Sequence, residues 1–113
     1  MDYNGPIKES IMSLSSNISA LQSHQTYMNV NANNIANSNT DGFVPKQTTI
    51  SENALKMPQA QVQSASDNGS SLSQTNLSKE LTDQIVIEDT VKANIATIKT
   101  QEQMNGTLLD IKV

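Results

Sequence analysis

Apolar side chains recur at Ile7, Ile11, Leu14, Ile18, Leu21, Met28 and Ile35, and Gln25 and Ala32 hold the intervening places of the same four-three spacing. An α-helix returns to one face about every 3.6 residues, so this spacing predicts a long first helix with a heptad seam. Pro6, whose fixed φ suits the first helical position, opens it, with Gly5 or Asn4 as cap. The period alone fits an amphipathic helix in any bundle. From Ser10 to Thr40, however, the chain has no Asp, Glu, Lys or Arg, and only His24 can titrate. A helix that faces water normally carries charge. One whose other faces hold Ser, Asn, Gln, Thr and Ala is suited to touching protein on several sides, where charges would be expensive to bury.

Residues Val44 to Thr75 include Pro45, Pro58, Gly69 and a run rich in Gln, Ser and Asn. They read as an extended, largely irregular linker that orders against neighbours, with a short β-like alternation at Val44, Lys46, Thr48 and Ile50. A second helix begins at a cap near Asn76 or Ser78 and carries Leu77, Leu81, Ile85, Val91, Ile95, Ile98, Met104, Leu108 and Ile111 in a drifting stripe. Unlike the first it is charged, with Lys79/Asp83 and Glu88/Lys92 at i,i+4. The expected fold is all-α: two long N- and C-terminal helices in an antiparallel coiled-coil-like pair, divided as 1–43, 44–75 and 76–113.

Between the first helix and the linker stands Ala32-Asn33-Asn34-Ile35-Ala36-Asn37-Ser38-Asn39-Thr40-Asp41-Gly42-Phe43. Asparagine competes with the backbone inside helices but tolerates left-handed dihedrals and satisfies orphan carbonyls where helices stop. The dodecamer is thus built as a polar helix exit, followed by the only phenylalanine of the chain. Asn33, Asn34, Ile35, Ala36, Asn37, Asn39, Thr40, Gly42 and Phe43, in this order and spacing, resemble the N-terminal signature of the bacterial flagellar axial proteins, the rod and hook subunits. The stretch Lys92 to Lys112 is similar to the C-terminal helix of the same family, through Ala93-Asn94, Ile98, Thr100, Met104, Leu108 and Leu109. The chain departs from the family at Asp89-Thr90-Val91, where members commonly have Arg-Ala-Tyr.

The resemblance implies a short, proximal-rod-type subunit without outer domains. Its helix pair would stack with other rod proteins around a channel, in a homo- and hetero-oligomeric helical assembly, after unfolded passage through the flagellar type III export apparatus. The exit-turn residues would fix the turn and subunit contacts. Ile7, Ile11, Leu14, Ile18, Leu21 and Met28 form the expected seam, and the C-terminal motif its helix-to-helix partner. The location implied is the periplasmic rod of the basal body. A rival role is an export or assembly adaptor that mimics axial termini.

Composition agrees with a partner-dependent fold. In 113 residues, 35% hydrophobic and 3% aromatic content leaves little to bury. A formal net charge of −4 with no basic cluster argues against nucleic acid, and no apolar run could serve as a leader or membrane span. His24 is the single histidine and cysteine is absent, so no catalytic set, metal site or cofactor site is expected. The chain reads as structural rather than enzymatic.

Overall fold

A computed structural model describes the backbone of residues 4–112 and the side chains of residues 11–104. Four elements follow in order: α1 (Asn4–Ala36), β1 (Lys46–Glu52), β2 (Pro58–Ser64) and α2 (Leu77–Lys112). The helices run antiparallel. Asn31 near the end of α1 meets Glu80 near the start of α2, while Asn17 in the first half of α1 meets Gln101 in the second half of α2. At ~1.5 Å per residue each helix is on the order of 50 Å long, and the described chain measures 66 × 26 × 14 Å. Asn76 caps α2 as expected, its Oδ1 accepting from the Lys79 amide at 3.1 Å.

The all-α expectation is corrected here. The segment read as an irregular linker contains an antiparallel β-hairpin, β1 with β2, in the register Lys46↔Ser64 to Glu52↔Pro58. Alternation decides it. Thr48 and Ile50 face the same side as their partners Val62 and Ala60, and Gln47, Thr49 and Ser51 lie opposite Gln63, Gln61 and Gln59 on the other. The turn is tied by Asn53, whose side-chain oxygen accepts from Leu55 and Met57 amides at 2.9 and 3.1 Å. Lys56 in that turn has φ of +60°. The hairpin lies along α1, where Ser19 and Ser23 both donate to the Pro58 carbonyl, at 2.6 and 3.2 Å.

The helix pair is joined by an unexpected row. Ser13, Asn17, Tyr27, Asn31 and Asn34 all hydrogen-bond to α2, and His24 shares a small cavity with Val86, Ile87 and Thr90. These positions follow four-three spacing one residue ahead of the apolar row, which is rotated by roughly 100° about the helix. Ile11 and Ile18 of the expected seam are consequently 53% and 41% exposed, while Leu14, Leu21 and Met28 are half-buried. The Ile7 side chain lies outside the described residues. Among the described side chains Ile87 is the one buried aliphatic, and twelve large hydrophobics are exposed.

Candidate functional site

The residues that tie the three parts together are polar and meet where α1 ends. Asn34 is fully buried and directs its amide at two partners: Nδ2 donates to the Lys46 carbonyl at 2.7 Å and to Glu80 Oε1 at 3.0 Å. Its Oδ1 accepts from the Lys46 amide at 3.0 Å. The side chain thereby pairs with the first residue of β1 as another strand would, which fixes where the hairpin begins. One helical turn earlier, Asn31 Nδ2 donates to the Glu80 carbonyl and to Glu80 Oε2, both at 2.7 Å. Glu80 sits in the first turn of α2, where the helix dipole favours a carboxylate.

The exit turn is closed by Asn37. Its Nδ2 donates to the Asn33 carbonyl and to Asn33 Oδ1 at 2.9 and 2.6 Å, and its Oδ1 accepts from Thr40 Oγ1 at 3.0 Å. The segment before α2 returns to the same turn. Ser73 Oγ donates to the Asn37 carbonyl at 2.7 Å, Thr75 Oγ1 to the Asn34 carbonyl at 3.0 Å, the Gly42 amide to the Ser71 carbonyl at 2.8 Å, and the Gln74 amide to the Phe43 carbonyl at 2.9 Å. Orphan carbonyls at the end of α1 are thus answered by hydroxyls from 36 and 41 residues downstream. Gly42 has φ of +71°, in the left-handed region open to glycine.

Of the expected motif, Asn33, Ala36, Asn39, Thr40 and Gly42 are exposed, Ile35, Asn37 and Phe43 half-buried, and Asn34 buried. In α2, Asn94 and Ile98 are half-buried, while Ala93, Thr100 and Met104 are exposed. Thr100 spends its hydroxyl on the Ala96 carbonyl of its own helix. The side chains of Leu108 and Leu109 lie outside the described residues. Sequence reading missed Asn31, Glu80, Ser73 and Thr75. The available signal was an asparagine one turn before Asn34, on a charge-free helix, with a glutamate opening α2.

Electrostatics are local. Lys79 Nζ and Asp83 Oδ2 lie 2.6 Å apart, the one ion pair among the described residues, and that bond raises the Lys79 pKa. Burial, with the Asp83 charge beside it, raises the Tyr27 pKa, and burial lowers that of His24. No group of three or more metal-ligating side chains occurs among the described residues. None of their helices is long and apolar enough to cross a membrane.

The fold is an elongated pair of helices with a β-hairpin along it, stitched by amides and hydroxyls, with much of its apolar surface exposed. Residues 14–43 match the model of the family described as flagella basal body rod protein. The match ends at Phe43, the last residue of the Asn-rich dodecamer, so that this segment of the chain is similar to the flagellar basal-body rod family. That family is structural and associates with other basal-body components. No curated protein matches the chain.

Proposed function

We propose that the chain is a permanent structural subunit of the periplasmic rod, delivered unfolded by the flagellar type III apparatus and assembled helically with other axial proteins. The observation that carries this is the imbalance of burial: Ile87 alone among described aliphatics is buried, while Ile11, Ile18, Leu81, Ile85 and Ile95 remain open on two long helices. A chain so built stabilises itself weakly, since ordering costs ~1–2 kcal/mol per residue and little apolar area is removed from water to offset it. Such weakness suits both unfolded passage and completion of the fold by neighbours.

Within this reading residues 1–43 and 76–113 form the axial helices, and residues 44–75 supply the hairpin in place of an outer domain, which favours a proximal position. Asn33, Asn34, Asn37, Thr40, Gly42 and Phe43 hold the exit turn. Ala93, Thr100 and Met104, being exposed, are assigned to contacts between subunits. Quantifying the chain in purified basal bodies tests the proposal. A fixed copy number per particle is expected, whereas recovery only from cytoplasm or medium would replace the subunit with the adaptor.

A further inference from the structure

Among the described residues the most exposed large hydrophobic is Leu55, at 75%. It stands at the tip of the β-hairpin, where hydrogen bonds fix its place. Asn53 Oδ1 accepts from the Leu55 and Met57 amides, and the Asn53 carbonyl accepts from the Lys56 amide at 2.9 Å. Lys56, with φ of +60°, is the one described non-glycine residue in the left-handed region. Strain of that kind persists only where the surroundings hold it, and it gathers at functional positions.

A groove of about 360 Å³ runs between the helices, lined by Leu21, Gln25 and Met28 of α1 and by Glu88, Val91 and Lys92 of α2. Leu21, Met28 and Val91 are half-buried and make it apolar, while Glu88 and Lys92 are exposed at its rim. At about 30 Å³ for each water in the liquid, the groove has room for the four carbons of a leucine side chain. The charges of tip and rim also match. Glu52 and Lys56 flank Leu55, Glu88 and Lys92 flank the groove, and none of the four is ion-paired among the described residues.

We propose that the hairpin tip of one copy of this chain docks in the helix groove of a second copy, with Leu55 in the apolar groove, Lys56 against Glu88 and Glu52 against Lys92. The leucine supplies the cohesion, and the exposed charge pairs set the orientation more than the affinity. Tip and groove are different surfaces, so the contact is heterologous: each copy offers a tip to one neighbour and a groove to another, as a helical assembly requires. The proposal rests on the rod-subunit reading.

The chain has no cysteine, which makes disulfide trapping clean. Leu55→Cys and Val91→Cys, produced together as two single variants, should give a dimer containing one of each in oxidised basal bodies. Leu55→Ala should leave the thermal midpoint of the chain unchanged and lower its incorporation at least tenfold, the loss expected when a buried leucine is cut back. Lys56→Glu should also lower incorporation, and adding Glu88→Lys to the same chain should restore it, a rescue that a folding defect would not show. Basal bodies that hold both cysteine variants without the mixed dimer, a Leu55→Cys chain linked to a different axial protein, normal incorporation of Leu55→Ala, or failure of the charge rescue overturns the copy-to-copy contact alone. Absence of the wild-type chain from basal bodies overturns the rod-subunit reading and the contact with it.

Discussion

Adjacent asparagines of the same motif should behave very differently when each is replaced by alanine. Asn34→Ala removes two donors and one acceptor from a fully buried position, leaving Glu80 Oε1 and both backbone polar groups of Lys46 without their partners. At ~1–3 kcal/mol for each buried group left unsatisfied, and with relief where water can reach Lys46, the sum is roughly 3–5 kcal/mol. Asn33→Ala removes one acceptor on an exposed surface, the contact from Asn37 Nδ2 at 2.6 Å. Alanine's better helix propensity offsets that loss, so the net change should stay within about 0.5 kcal/mol. Thermal unfolding followed by far-ultraviolet circular dichroism, in a stabilising osmolyte that populates the fold, reads both values. Equal effects of the two substitutions, or a mild effect of Asn34→Ala, would refute the stitching of hairpin to helices through Asn34.

Gly42→Val, at φ of +71°, should cost about 1–2 kcal/mol of backbone strain and lower recovery in basal bodies, with Ser66→Val as control; Gly69 cannot serve, because its φ of +79° makes it equally constrained. Lys56→Gly should raise the thermal midpoint by relieving a left-handed non-glycine residue, a gain on the order of 1 kcal/mol, and an unchanged or lower midpoint would speak against that geometry. His24 is held below its ordinary value of 6.5 by burial, so the unfolded chain binds the proton more readily; the stability this contributes is present above about pH 6.5 and is lost as pH falls through the lowered folded value. His24→Gln should remove that acid slope in thermal midpoints between neutral and mildly acidic buffer, and an identical slope in the variant would assign it elsewhere.

Helix existence was legible because period and length agree over dozens of residues, and the Asn76 cap was legible from side-chain chemistry alone. The hairpin was half legible. Thr48 and Ile50 announce β1 by alternating β-branched residues, but β2 alternates Gln59-Ala60-Gln61-Val62-Gln63, where one inward position is only a methyl group and the outward ones are repeated amides. Such a strand resembles low-complexity linker until a partner is known, and pairing is a non-local fact. The same limit hid Glu80. Nothing near it in sequence shows that it will be buried, since both asparagines that enclose it lie more than 40 residues earlier.

The seam exposes a subtler limit of pattern reading. Periodicity locates an apolar row but does not say whether the row faces the chain's own second helix or another molecule. Here both rows border α2: Asn17, Tyr27, Asn31 and Asn34 hydrogen-bond to it, Leu21 and Met28 share a cavity with its Val91, and Ile11 and Ile18 stay exposed. Hydrogen bonds demand angles and partners, so a polar row fixes the register of the two helices with little net stability. Apolar surface is less selective and gives more free energy per area removed from water. On the rod-subunit proposal, polar contacts that fix register together with exposed apolar residues such as Ile11 and Ile18 give a subunit that gains most of its cohesion where neighbours cover it, which is the property a polymer built one subunit at a time requires.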